Sequence, residues 1–575
     1  MWWYFEDLLR VKLEHEAINA LVDEGIGVEN VRWRMAANTA LRVEADLRVG
    51  NDVRSVALTY PMIYPNSPPT VRPIGEHTEW GAHQYLANGE LCLQYRPDNW
   101  HPDYIGAHML RSALTLMAAD VGVTHQSAWD LPSAHVETPA SEIRRKWARL
   151  VLTAEAQQRL TQLKESLQVN LRRAWVTGNF MMTLTSITEP DGKVWSDAAL
   201  PTDVVESAEL KGLAVPVAAN DPRLEIIPAL LKSDGNSQVL WNLFAPAYVD
   251  DGADRCLILV VDGAVRPFVI RAGNKRPYEA GLVLPDPGVR LPPSHAALAH
   301  KTFAILGCGS MGSKVATSLA RSGGKKFVLV DDDVLKPENL VRNDLDAYTI
   351  GGQKTAALAQ RLKRVAAGVE VKMHNFMIGG QESGTQSDSI VRELAQADII
   401  IDATGSHEAF NSAAAAGKLN GKTMFWGRVF AGGYGGLIAR SRPKLDPNPF
   451  DAREMINQWC ENPEFPEPPK AAKDYAAQTT KGVPMVADDA DVSVIASHLA
   501  RFVIDTATGA DPSDFEYSAY MIGLRKEWIF KSSFDIWPID LGPELPSTTV
   551  STVTQETAGT VSMLLDMFKA QMAND

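Results

Sequence analysis

The sequence predicts a multidomain chain that joins α/β and α+β parts. Three observations predict it. Residues 303–333 read as strand, glycine turn, helix, strand and acid. Residues 180–289 are short apolar runs separated by Gly, Pro, Asp and Asn. The first 125 residues read as helix, strand meander, proline-dense turn and helix. A length of 575 residues accommodates about three or four domains. The divisions expected are 1–138, a β-rich connecting part over 139–289, and 290–575.

The stretch 303–354 carries the densest information. Phe303 to Leu306 is a short apolar strand, and Gly307-Cys308-Gly309-Ser310-Met311-Gly312 is a turn into a helix that runs to Arg321. Phe327 to Val330 is the next strand, closed by Asp331-Asp332-Asp333. This is a Rossmann-like βαβ unit for a nucleotide. Gly307, Gly309 and Gly312 let backbone approach a phosphate, and the helix N-terminus adds N–H donors and a positive dipole. Asp331 stands 19 residues beyond Gly312, where a ribose-binding acid belongs. Dehydrogenases share that fingerprint, but they do not need the Asn339, Arg342 and Lys354 that follow. Cations there suit attack on an α-phosphate, because they neutralise charge developing on phosphoryl oxygens. Residues 303–354 therefore resemble the ThiF/MoeB/ubiquitin-activating superfamily, which adenylates the C-terminal carboxylate of a small protein.

Bulk properties narrow the classes. Apolar residues make up 45% and charged residues 22%, with a net charge of −14. That acidity argues against a nucleic-acid partner. No apolar run spans a bilayer, which argues against a membrane partner. Met1 to Asp7 lacks a basic signal-peptide start, so a cytoplasmic protein is expected. The four cysteines, Cys92, Cys256, Cys308 and Cys460, form no Cys-x-x-Cys pair and hence no four-cysteine zinc site.

Phe5 to Glu24 has the pattern of an amphipathic helix. Strands are expected over 31–35, 41–49 and 53–60, before the proline-dense Tyr60 to Thr70. Gly89-Glu90-Leu91-Cys92-Leu93, then Trp100-His101-Pro102, then a helix over 105–119 complete the order. This arrangement resembles the ubiquitin-conjugating fold over nearly all of residues 1–125. The resemblance implies that Cys92 is a thioester-carrying nucleophile; the bland alternative is a buried filler cysteine. The family's His-Pro-Asn is replaced by His83-Gln84-Tyr85, one residue closer to Cys92. Asn88 and backbone N–H groups are then candidates for steadying an oxyanion. His83 is either a loop-orienting partner or a base.

Residues 139–171 read as a long charged helix. Strands are expected over 180–187, 212–217, 238–244, 256–261 and 265–270. Cys256 lies in the fourth of these as core, and Cys308 is packing within the glycine loop. Residues 285–293 look like a linker. A strand over 369–374, a helix over 390–394 and a buried strand over 397–404 continue the α/β rhythm. The activating family often places a metal-binding Asp where Gly405 stands, so Asp402 is the candidate Mg²⁺ ligand. Cys460 lies in a stretch of little regular pattern, within a crossover segment near 445–490. The resemblance to activating enzymes makes it the candidate thioester cysteine, although its acidic neighbours disfavour the thiolate. A helix over 492–506, a strand pair within 517–539 and a helix over 557–572 close the chain.

Both resemblances in one chain are similar to the fused conjugation proteins of bacterial anti-phage CBASS operons, the CD-NTase-associated conjugation proteins. That similarity implies ATP and Mg²⁺ as cofactors. It implies a protein substrate with a free C-terminus, by resemblance a cyclic-dinucleotide synthase (CD-NTase), and a lysine-bearing acceptor. It also implies a homodimer, with Arg290 a guess for a residue lent to the neighbouring site. Rival readings are a sulfur-carrier adenylyltransferase, a decayed binding scaffold and an NAD-dependent oxidoreductase.

Overall fold

The computed structural model describes residues 2–75, 84–85, 89–120, 143–246, 253–286, 290–378, 380, 384–473, 476–479, 481–544 and 557–572. The chain divides into two compact units, Met1–Glu142 and Ile143–Asp575.

The first unit is α+β. Helices Trp3–Glu6 and Leu8–Asp23 precede four strands, β1 Val28–Met35, β2 Leu41–Val49, β3 Asp52–Thr59 and β4 Thr70–Ile74, which form an antiparallel meander in chain order. Helix Gly106–Asp120 follows. The meander's inner face (Val43, Ala45, Leu47, Val56, Leu58) packs on Ile18, Leu21, Leu110 and Ala113. Glu14 is fully buried among them. Its carboxylate accepts from the Tyr60 hydroxyl and the Gly106 N–H, each at 2.7 Å, from Arg10 Nε at 3.1 Å, and from Tyr64. A buried carboxylate persists only with donors of this kind. They fix the helix Leu8–Asp23 to the proline-dense turn and to the start of the later helix. Of the expected apolar face of the first helix, Phe5, Leu8 and Leu9 are solvent-exposed.

The second unit opens with nine strands: β5 Ala148–Val151, β6 Leu167–Val176, β7 Asn179–Thr188, β8 Val194–Ser196, β9 Leu210–Val217, β10 Arg255–Val261, β11 Ala264–Ile270, β12 Tyr278–Glu279 and β13 Gly281–Val283. They form one sheet in the order β12-β11-β10-β9-β6-β7-β5-β13, with β8 beside β7. Two expectations are corrected here. Residues 143–171 are not one long helix: β5 buries alternate residues Ala148, Leu150 and then Leu152, a period of two. Thr153 then caps a separate helix, Ala154–Thr161, by accepting the Ala156 N–H. Residues 238–244 are helix rather than strand, within Ser237–Phe244. Ser237, Leu240, Trp241 and Phe244 are buried together, at spacings that share one face only in a helix. Cys256 is fully buried in β10, and burial pushes its thiol up to about 12.

The C-terminal sheet positions the site. Its strands are β14 Thr302–Leu306, β15 Lys326–Val330, β16 Glu370–His374, β17 Ile399–Asp402, β18 Thr423–Val429, β19 Gly435–Ser441, β23 Ala519–Gly523 and β24 Ile536–Ile539. A small separate sheet, β20 Lys470–Lys473, β21 Ala476–Gln478 and β22 Pro484–Val486, lies between β19 and β23 in the chain. The main sheet runs β16-β15-β14-β17-β18-β19-β23-β24. The five strands from β16 to β18 are parallel and the rest antiparallel. Both faces are covered, so the strands are apolar throughout. Phe303 and Ile305 face helices Ser310–Arg321 and Asp489–Thr508, while Ala304 and Leu306 face helix His407–Asn420. Burying each phenylalanine contributes about 1.5–3 kcal/mol. The chain runs from β14 to β15 on one side and returns to β17 on the other. That reversal is the switch point where a ligand crevice opens at the carboxyl ends.

Helix Pro449–Cys460 corrects a third expectation, since Cys460 ends a regular helix rather than lying in irregular chain. The missed signal is Asn448-Pro449: the Asn448 side chain accepts the Phe450 and Asp451 N–H groups, and Pro449 sits in the first turn. No helix among the described residues is long and apolar enough to cross a membrane.

Candidate functional site

A cavity of about 560 Å³ opens at the switch point. Its walls include Gly307, Gly309 and Ser310 from the glycine loop, Asp331–Asp333 after β15, Lys354, the Thr404-Gly405 turn after β17, and Arg428 on β18. Gly307 takes φ +84°, and a Cβ there would meet the Ala403 backbone at 3.1 Å. Gly312 packs still closer, with a Cβ falling 1.8 Å from the Gly307 carbonyl oxygen. Gly309 is the N-cap of helix Ser310–Arg321, and no side chain caps that end. Its first-turn N–H groups are therefore available to an anion.

Asp331 ties the loop to the next strand. Its carboxylate accepts the Cys308 N–H at 2.7 Å and the Asp333 N–H at 2.9 Å. Burial holds this carboxyl above the usual carboxylate range, against those two bonds and Lys354. Lys354 begins helix Lys354–Val365 and reaches across to Asp333, Nζ to Oδ2 2.5 Å. Asn343, which the sequence pattern does not single out, donates to the Cys308 carbonyl at 3.2 Å and so steadies the loop from behind. Cys308 is fully buried, and burial raises its thiol well above normal.

Other expected residues stand back from the cavity wall. Asn339 accepts the Lys336 N–H at 2.9 Å, closing its own short turn. Arg342 donates to the Ala487 carbonyl at 2.8 Å, at the entry to helix Asp489–Thr508. Asp402 is 4% exposed, and its carboxylate accepts the Thr404 N–H at 3.0 Å and hydroxyl at 2.6 Å. Asp402 thus shapes the turn that walls the cavity; burial raises its pKa. No group of three or more His, Cys, Asp or Glu able to hold a metal occurs among the described residues. This geometry does not support the expected Mg²⁺ on Asp402. Arg290 pairs with Asp286 of its own chain.

Cys460 is half-buried against the same core cluster that Trp459, Phe465, Trp528 and Trp537 pack on. Burial raises its thiol, Glu461 adds to that, and the charge of Arg428 opposes it. Arg428 thus lines the cavity, and its charge favours the Cys460 thiolate.

In the first unit, Leu91 and Leu93 are buried and leave Cys92 half-exposed between them. The Tyr85 N–H donates to Glu90 O at 2.8 Å, and Leu91 N–H donates to Val71 O at 2.9 Å. The Tyr85 hydroxyl hydrogen bonds the Cys92 side chain. His83 and Asn88 lie outside the described residues.

This arrangement of glycine loop, strand-end acid, lysine and uncapped helix has a match among known families. Residues 291–462 match the ThiF family. Among curated relatives, the ATP-dependent ubiquitin transferase-like protein Cap2 of Pseudomonas aeruginosa is 33% identical over 117 residues, 20% of each chain. The adenylyltransferase and sulfurtransferase MOCS3 of Sus scrofa is 37% identical over 94 residues, 16% of this chain and 20% of its own. The chain thus spans about a fifth of the length of these curated relatives. MccB of E. coli, solved with ATP, is 19% identical with a TM-score of 0.33, covering 45% of this chain and 68% of MccB. The resemblance to fused conjugation proteins is borne out as far as this Cap2 match extends. The ThiF domain takes in the glycine loop, Lys354, Arg428 and Cys460.

Proposed function

We propose that this chain uses ATP to activate a protein C-terminus and pass it along two cysteines to an amine. The observation that carries the reading is the cavity of the ThiF domain, where Lys354, Asp331 and the open helix end meet Arg428, which also acts on Cys460. The partner's terminal carboxylate attacks the α-phosphorus of ATP, forming an acyl-adenylate and releasing pyrophosphate. Asp331 takes the ribose hydroxyls. The glycine loop of Gly307, Gly309 and Gly312 and the helix end take phosphate oxygens. Lys354, with Arg342 from its flank, offsets the charge developing at phosphorus. Asn339 holds the turn that carries Arg342. Mg²⁺ belongs to this reading as part of the MgATP substrate, since Asp402 is committed to Thr404 while Asp332 offers a carboxylate at the cavity edge.

The Cys460 thiolate then attacks the acyl carbon, AMP leaves, and a thioester forms. Cys92 displaces Cys460 in a thiol exchange near neutral in free energy. An amine finally takes the acyl group as an amide. In this reading the N-terminal unit is ubiquitin-conjugating-like and the nine-stranded sheet is a connecting domain. The activated protein is a CD-NTase in anti-phage defence, the acceptor bears a lysine, and the chain works as a homodimer in the cytoplasm. The similarities to Cap2 and MOCS3 support the adenylation step, which the rival sulfur-carrier reading shares.

ATP–pyrophosphate exchange with a CD-NTase as partner tests the first step. Exchange should require the partner's free C-terminal carboxylate and vanish in Lys354→Ala. Exchange that proceeds equally with a C-terminally amidated partner would sink the reading.

A further inference from the structure

We infer that Tyr85 and Arg96 are the two donors that carry the chemistry at Cys92, Tyr85 on the sulfur and Arg96 on the acyl oxygen. The inference deepens the proposed function and rests on Cys92 as an acyl carrier. Three observations lead to it. First, the Tyr85 hydroxyl hydrogen bonds the Cys92 side chain. Bonds on either side hold the residue: Gly89 N–H donates to Tyr85 O, Gln84 Nε2 donates to Gly89 O, and Gln84 bridges Leu91. Second, the Arg96 guanidinium acts electrostatically on both Cys92 and Tyr85. Third, Arg96 is clamped by Asp98, Nε at 3.0 Å and Nη2 at 3.1 Å, yet its Nη1 is buried with no hydrogen-bond partner among the described residues. A buried, preoriented donor whose positive charge bears on the nucleophile suits an oxyanion.

The step balances as follows. The amine nitrogen attacks the thioester carbon, and the carbonyl π electrons move to oxygen, which accepts from Arg96 Nη1. The oxygen's electron pair then re-forms the carbonyl as the C–S bond breaks, the C–S pair leaves on Cys92 Sγ, and that thiolate accepts from the Tyr85 hydroxyl. The amine proton passes to water. Burial, with Cys92 and Glu90 nearby, holds the Tyr85 phenol up at about 12, so it remains a donor throughout.

The test uses the full chain and no adenylation. Cys92 is acylated with a small acyl thioester, and discharge to hydroxylamine is followed by peptide mass. In parallel, alkylation of Cys92 by iodoacetamide is profiled against pH. Tyr85→Phe, which keeps the ring, should raise the alkylation midpoint by about one pH unit and slow discharge about tenfold. Arg96→Met should slow discharge about 100-fold, and Arg96→Lys should recover part of that. Unchanged midpoint and unchanged discharge rates in both variants would overturn the donor pair. If these effects appear but wild type never loads Cys92 from ATP and a partner, the relay fails and the donor assignment stands.

Discussion

Lys354 Nζ lies 2.5 Å from Asp333 Oδ2 on the wall of the ThiF cavity. The ammonium holds the Asp333 carboxyl below its ordinary value, so the pair stays ionised as pH falls. Its stabilising contribution is present above the unfolded carboxylate pKa and is lost only as pH drops through the lower folded value. Asp333 is partly exposed, and that contribution is small. The lysine matters for chemistry instead. Lys354→Ala should cut pyrophosphate exchange by about 100-fold or more while thermal unfolding moves little. A large loss of Tm with exchange retained would contradict that division.

Gly312 has a different duty. A methyl group there would overlap the Gly307 carbonyl, at 1.8 Å, so the loop must shift. Gly312→Ala should destabilise the ThiF domain by roughly 1–3 kcal/mol and abolish nucleotide binding, read by calorimetry. Gly309 has nothing within 4 Å of an added Cβ, and Gly309→Ala should unfold near the wild-type temperature.

Asp331 sets a pH dependence. Burial raises its carboxyl, so on acidification it protonates at a higher pH than an ordinary aspartate, which titrates near about 3.9. Nucleotide affinity should begin to fall at correspondingly milder acidity. Asp331→Asn should bind more weakly at neutral pH and lose this acid limb. Titrations of affinity against pH on both proteins check it; parallel curves would contradict the ribose role.

Arg428 lines the cavity, and its charge bears on Cys460. Removing its charge leaves burial and Glu461 to raise the Cys460 thiol unopposed. Arg428→Ala should therefore shift the Cys460 alkylation midpoint upward and slow thioester formation more than pyrophosphate exchange. Equal loss in both would place Arg428 in adenylation alone.

Much of this was legible in the sequence because it depends on local pattern. The apolar strands Phe303–Leu306 and Phe327–Val330, the glycine turn and Asp331 are contiguous signals, and each lines or frames the cavity. The helix expected over 139–171 and the strand expected over 238–244 do not hold, because short segments of mixed polarity fit two periods and tertiary burial decides between them. Arg428 and Asn343 escaped because their importance lies in spatial neighbours: Cys460 is 32 residues beyond Arg428 in sequence, and Cys308 is 35 residues before Asn343. Asn339 and Asp402 carry motif positions, but their side chains bond within their own turns. Spacing alone does not reveal that commitment.

The central claim is the passage of one acyl group over two cysteines. Intact mass of wild type, Cys92→Ala and Cys460→Ala, each incubated with MgATP and a CD-NTase and read with and without reductant, tests it most directly. The account predicts a thiol-sensitive adduct on wild type, an adduct trapped on Cys460 in Cys92→Ala, and none on either cysteine in Cys460→Ala. An adduct on Cys92 that survives Cys460→Ala, or pyrophosphate exchange with no adduct on any protein, would contradict it.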